Sequence, residues 1–241
     1  MTHWITPTTL PTLTSNALCI WRLYLPDAQQ TMPHYLGVLS ETEKTACMRF
    51  KFADLQRRYA ITRFGLRYLL GHYCQKAPLN IIIETGEHGK PYLPNHTLHF
   101  NISHSGDYVL YAFSAIPEIL LGIDVERIRN RDELAIAKRF FAPAEYATLA
   151  ALPTTQKAEA FFHVWTQKEA FIKAIGQGLS YALDGFETSV TGAVKLLKIT
   201  DERYRYFNWY SSELTVATGY KACVTSSKKP VDLYFYTLRG F

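Results

Sequence analysis

One stretch constrains this chain more than any other: residues 157–175, KAEAFFHVWTQKEAFIKAI, followed by Gly176 and Gly178. At about 100° per residue, Ala158, Phe161, Phe162, Trp165, Ile172 and Ile175 share one broad face. That spacing predicts a helix, and the glycines supply its stop. Glu169 and Lys168 project inside the apolar face, and Lys173 lies at its edge. An exposed Glu169–Lys173 pair would contribute only about 0.2–0.5 kcal/mol. So small a gain does not account for charges set among aromatics, since buried charges are normally paired or hold a metal.

A second segment raises the same problem. ILLGIDVE (119–126) reads as a strand, yet it carries Asp124 and Glu126 among Leu121, Ile123 and Val125. Side chains two apart on a strand share a face, so two like charges point the same way from an apolar segment, and burial adds to their cost. Something positive should sit between them. Asp124, Glu126 and Glu169 together offer three carboxylates to one hard divalent cation. With no cysteine near, that donor set favours Mg²⁺ over Zn²⁺. Mg²⁺ normally completes its shell with water and substrate phosphates, for which Lys90, Lys168 and Lys173 are candidate partners. An Asp-x-Glu is also common on exposed strand edges, so a solvated acidic pair stands as the other reading of this segment.

The remaining pattern is mixed. LCIWRLYL (18–25), NIIIE (80–84), LHFNIS (98–103) and YVLYAFS (108–114) read as strands, as do 184–190, 193–199, 204–210, 213–218, 220–226 and 231–238. Helices are predicted after Ser40, where Ser40 and Glu43 have capping-box spacing, over 54–73, over 132–139, and from Pro143. Residues 1–17 read as an irregular arm. The result is an α+β protein with largely antiparallel sheet and two halves that join near 115–121, giving an N-terminal unit 1–118 and a C-terminal unit 119–241.

Composition narrows the class. Of 241 residues, 48% are hydrophobic, enough for a substantial core. The net charge of +5 suits an anionic small molecule or an acidic protein partner. No run of five Lys or Arg occurs, which argues against nucleic acid. No stretch of 18 apolar residues is present, which argues against a membrane span, and MTHWITPTTLPTLTSN has no basic region followed by an apolar core, so it does not read as a signal peptide. Cys19, Cys47, Cys74 and Cys223 form no C-x-x-C pair, consistent with reduced thiols in the cytoplasm.

Smaller motifs are individually weak. EHGKP (87–91) is a Gly/Pro turn and not a phosphate-binding P-loop. Ser103 and His104 are neighbours on a strand and so face opposite ways, which rules against a Ser–His catalytic dyad. Ser, His and Gly at a strand end can instead bind an anion. His96 and His99 read as structural. Arg57, Arg58, Arg63 and Arg67 on the first long helix are either solvated or meet phosphate.

Taken together, GKP (89–91), FNISHSG (100–106), GIDVE (122–126), RFFAPAEY (139–146) and WTQKEAFIKAIGQGL (165–179) resemble, in order and spacing, the phosphopantetheinyl transferases of the single-chain, surfactin-synthetase-activating type. The resemblance implies two similar α/β subdomains about a pseudo-twofold axis, with coenzyme A and Mg²⁺ in the cleft, acting as a monomer. It implies transfer of 4′-phosphopantetheine from coenzyme A to a serine of an acidic acyl or peptidyl carrier protein, releasing adenosine 3′,5′-bisphosphate. A Mg²⁺-dependent phosphohydrolase and a non-catalytic coenzyme A-binding module are the alternatives. Asp124, Glu126 and Glu169 match metal ligands, Lys168 and Lys173 match pyrophosphate contacts, and Lys90 lies in the nucleotide loop. Ser103 and His104 match phosphate contacts of coenzyme A, His104 at the 3′-phosphate, and Arg58 matches a basic residue for that phosphate. Glu169 is the candidate base, alone or through water, with Glu145 as a second candidate or a structural residue. The chain departs from the pattern where two lysines would reach the 3′-phosphate. It has Glu43 and Ala46 there, with Lys44 and Arg49 off-register.

Overall fold

The computed structural model describes residues 2–129 and 132–239. Its strands are β1 (Ala17–Tyr24), β2 (Glu84–Thr85), β3 (Pro91–Tyr92), β4 (His99–Ser105), β5 (Tyr108–Ser114), β6 (Leu121–Arg127), β7 (Phe186–Thr188), β8 (Leu196–Ile199), β9 (Tyr210–Glu213), β10 (Tyr220–Ser226) and β11 (Asp232–Leu238). Its helices are α1 (Met32–Leu36), α2 (Glu41–Met48), α3 (Ala53–Cys74), α4 (Glu133–Phe140), α5 (Pro143–Ala151) and α6 (Thr154–Ile175). The class is α+β, as the sequence implies.

The first sheet has the order β11-β1-β5-β4 and the second β6-β10-β9; β2-β3 and β7-β8 are small ribbons. Among the described strands every pairing is antiparallel except β1 with β11, whose outer edge also takes a parallel bridge from Ile5 to Tyr236. The last strand of the chain therefore completes the sheet that β1 begins. β1 is apolar on both sides because both are covered. Trp21 and Leu23 join Phe64, Leu66, Leu69 and Leu70 of α3 in one core, and Leu18 and Ile20 join Ile123, Val125 and Val224 of the second sheet in another.

α6 lies on the far face of the second sheet, and Gly122 permits the approach. A Cβ there would sit 2.0 Å from the Ala170 carbonyl oxygen and 2.3 Å from the Ala174 nitrogen. Gly176, at φ +70°, ends the helix in the left-handed conformation that glycine adopts without strain. The capping box at α2 is present, with Glu43 N–H donating to Ser40 Oγ and Ser40 N–H to Glu43 Oε2.

β4 and β6 belong to different sheets but run side by side in the same direction, joined by side chains. Asn101 Oδ1, Ser103 Oγ and Ser105 Oγ accept from the N–H groups of Ile123, Val125 and Arg127 at 2.9, 3.3 and 3.1 Å. Three polar side chains at strand spacing thus stand in for backbone carbonyls. They hold the strands a side chain's length apart.

Three expected strands differ. NIIIE gives a 3₁₀ turn at Pro78–Asn80 and pairing only at Glu84–Thr85. The reason is Arg67, whose Nη1 takes the Pro78 and Ile81 carbonyls at 2.9 and 3.0 Å. Residues 202–206 form turns and 207–209 are irregular, because the Asp201 carboxylate accepts from the Arg203 N–H and its carbonyl from the Tyr204 and Arg205 N–H groups. Such local bonds compete with a sheet ladder. The strand expected at 213–218 lies instead at 210–213.

Candidate active site

β6 sends Leu121, Ile123 and Val125 into the core, which leaves Gly122, Asp124 and Glu126 on the face toward α6. The positive group between the carboxylates is Lys173. Its Nζ lies 2.6 Å from Asp124 Oδ1 and donates to Ser103 Oγ at 2.9 Å. One ammonium does not balance three acids. Burial, then the charge of Asp124, raises the Glu126 carboxyl above its ordinary range. The same causes in the same order push Glu169 up to about 7. Two buried oxygens, Asp124 Oδ2 and Glu169 Oε1, have no hydrogen-bond partner among the described residues. Buried orphan oxygens of this kind call for a cation or a proton. The acids are close enough to shift one another, yet among the described residues no group of three or more His, Cys, Asp or Glu converges to hold a metal ion as they stand.

The cluster opens on a cleft of about 590 Å³ lined by Arg63, His88, Gly89, Lys90, Glu169 and Lys173. A hollow of about 430 Å³ adjoins it, sharing Arg63 and Ile102 and bordered by Arg58, Tyr59 and His104. Ser103 turns toward Asp124, donating at 2.8 Å. His104 lies on the other side of β4, exposed at the hollow. The surrounding protein, then the charge of Lys173, lowers its pKa. Arg58 also borders the hollow, with its guanidinium on Asp54, the Gly106 carbonyl and Asp107.

Lys90 lines the cleft with its stem, but its Nζ donates to the Leu121 and Ala174 carbonyls, both at 2.9 Å. With no carboxylate to offset burial, its pKa falls to about 8. The ammonium ties the Gly89–Lys90 loop to β6 and to the last turn of α6.

Lys168 requires a correction. It does not reach the cleft: it is fully buried, and its three protons go to Glu145 Oε2 at 2.8 Å and to the Leu183 and Phe186 carbonyls, each at 2.7 Å. One residue along a helix is a turn of about 100°, enough to send Glu169 to β6 and Lys168 to the opposite packing. Glu145 is likewise committed. Oε1 accepts from the Thr188 N–H and hydroxyl, and Oε2 from the Ala142 N–H and Lys168. No oxygen is left to take a substrate proton, so Glu145 is structural.

Glu43 is also structural. Its carboxylate receives Arg63 at 2.7 Å and Arg67 beside it, and these charges, against burial, hold it below the usual range. Arg63, one of the four arginines read on the first long helix, borders both hollows, and Ser105 is not among the sequence candidates. The alternation Asn101, Ser103, Ser105 was the available signal, three polar side chains on one strand face.

Comparison with known proteins gives the family. Residues 120–225 match the 4′-phosphopantetheinyl transferase superfamily, and residues 25–116 match the 4′-phosphopantetheinyl transferase N-terminal family. The chain is 36% identical over 185 residues to 4′-phosphopantetheinyl transferase HetI of Nostoc, covering 75% of this chain and 77% of that one. It is 32% identical over 213 residues to 4′-phosphopantetheinyl transferase Sfp of Bacillus subtilis, covering 86% and 92%. With psf-1 of Bacillus pumilus the identity is 41% over 162 residues, covering 66% and 67%. The chain belongs to the 4′-phosphopantetheinyl transferase superfamily.

Proposed function

We propose that this chain transfers the 4′-phosphopantetheine group of coenzyme A to a serine hydroxyl of a carrier protein, with Mg²⁺ held by Asp124, Glu126 and Glu169. The observation that carries the reading is the pair of buried, unpartnered oxygens on Asp124 and Glu169, short of positive charge, with Glu169 lining the cleft and Asp124 reaching it through its ion pair with Lys173. An all-oxygen donor set suits Mg²⁺. Bound there, Mg²⁺ would supply neutralisation of the pyrophosphate and of charge developing on the leaving phosphate.

The chain's own residues do the rest. Lys173, held by Ser103 and Asp124, presents its ammonium to the phosphates. Glu169 takes the serine proton, directly or through one water. As that proton leaves, serine Oγ bonds to the phosphorus bearing pantetheine. The bridging P–O bond breaks, and adenosine 3′,5′-bisphosphate departs with the electron pair. Catalysis of this kind is mostly positioning and electrostatics. His104, with Arg58 beside it, meets the 3′-phosphate, and the Gly89–Lys90 loop meets the nucleotide. The chain acts as a monomer, and its net charge of +5 steers an acidic carrier protein.

Incubating the protein with coenzyme A, MgCl₂ and a panel of apo carrier proteins tests the reading. The expected result is a carrier mass increased by one phosphopantetheine group. Cleaved coenzyme A with unmodified carriers would favour a phosphohydrolase, and binding without turnover a coenzyme A-binding module.

A further inference from the structure

Ser105 closes the line of side chains between the two sheets, and its hydroxyl is used twice. Oγ accepts the Arg127 N–H at 3.1 Å and donates its own proton to Glu126 Oε2 at 2.7 Å. The residue is buried, and rotation about its side-chain bond would break one contact or both. Asp124 has a comparable hydroxyl from Ser103, but it also has Lys173 at 2.6 Å. Glu126 is placed differently: its cationic neighbour, the Arg129 guanidinium, is half-exposed and 3.9 Å from the same oxygen. A glutamate has more side-chain freedom to lose than an aspartate, and here a neutral hydroxyl fixes it. The hydroxyl is itself anchored to the strand that carries the glutamate.

We infer that Ser105 is a positioning residue for Glu126. By holding Oε2 it directs Oε1 toward the acidic cluster, and it thereby sets the affinity of that cluster for a divalent cation. The inference rests on the proposed reading of Asp124, Glu126 and Glu169 as a cation site. Hydrogen bonds behind a ligating carboxylate typically account for about 10–100-fold in metal affinity.

The test is calorimetric titration of the full chain with MgCl₂ in the absence of coenzyme A. Ser105→Ala should weaken binding by about 10-fold or more, while Ser105→Thr, which keeps the hydroxyl, should bind as wild type does. Adding Ser105→Ala to Glu126→Gln should weaken binding no further, because the two changes remove one interaction. A general loss of packing would instead add to the Glu126→Gln effect. If Ser105→Ala does not fold, Ser105→Cys keeps the size with a weak donor, and it should also bind more weakly. Undiminished binding by Ser105→Ala or Ser105→Cys, an equal loss in Ser105→Thr, or additivity with Glu126→Gln would each overturn the inference while leaving the site standing. Wild-type protein that binds no divalent cation would overturn the site as well.

Discussion

Lys168 and Glu145 form an ion pair at 2.8 Å with both side chains shut away from water. Every proton of the ammonium and both oxygens of the carboxylate have partners. The pair bolts α5 and the 183–188 segment to α6, one residue before Glu169.

Breaking the pair on one side should cost stability. Lys168→Met leaves a buried carboxylate without its counter-charge, a loss of about 3–5 kcal/mol. Combining Lys168→Met with Glu145→Gln should recover part of it, because the uncompensated charge is gone while the amide oxygen can still accept from Thr188. Chemical denaturation of the two single variants and the double measures this. KM for coenzyme A should be unchanged in whichever variant folds, since Lys168 does not reach the cleft.

Asp124→Asn and Glu169→Gln should each lower the transfer rate by about 10²–10³-fold. Glu169→Gln should not lose stability in the absence of metal, because it removes a buried carboxylate that its neighbours repel, whereas Asp124→Asn also gives up the 2.6 Å ion pair with Lys173 and should lose some. Transfer to an apo carrier at saturating MgCl₂, followed beside a thermal melt, separates the two effects. Near-normal transfer by either variant would count against its role as a ligand.

Burial of Glu169, and then the charge of Asp124, gives the protein in EDTA a pH dependence of definite sign. The Glu169 carboxyl is raised in the fold from its ordinary 4.5 to about 7. Its contribution to stability is therefore complete below about 4.5 and is lost as pH rises through about 7. Melting temperature in EDTA should fall across that window, and the fall should be smaller in Glu169→Gln. Stabilisation by added MgCl₂ should grow over the same interval, as the site deprotonates.

Gly122→Ala should be among the most damaging single-methyl changes available. The added carbon meets backbone of α6, which cannot rotate aside as a side chain can. A loss of about 3 kcal/mol or more is expected. Any folded fraction should transfer poorly, because a displaced α6 carries Glu169 and Lys173 away from Asp124. Denaturation and a single-turnover assay on the soluble fraction check both.

His104→Ala should raise KM for coenzyme A more than for 3′-dephospho-coenzyme A. Equal effects on the two would remove the 3′-phosphate assignment.

Much of this arrangement was legible in sequence, and the exceptions share a cause. Helical spacing located α6 and its stop, and the alternation in GIDVER put Asp124 and Glu126 on one face. Lys168 was misplaced because it and Glu169 fall within the same wide apolar arc. Which neighbour covers each part of that arc depends on α5 and the 183–188 segment, distant in sequence. NIIIE has every local mark of a strand, yet Arg67 claims its carbonyls from another element. The polar alternation along β4 was visible, but its partner lies 22 residues away in another sheet. Local pattern states what a segment prefers, and long-range partners decide where side-chain hydrogen bonds are spent.

β1 and β11 are paired along their lengths although their partners stand 215 residues apart. Chain closure over that distance is entropically expensive and makes a slow nucleus. At a synthesis rate of about 5–20 residues per second, the free edge of β1 waits on the order of ten seconds or more for its neighbour. During that interval an apolar strand stands open to other chains. Newly made protein should therefore depend on a holding chaperone, and a fragment cut off ahead of β11 should aggregate rather than survive as a smaller unit.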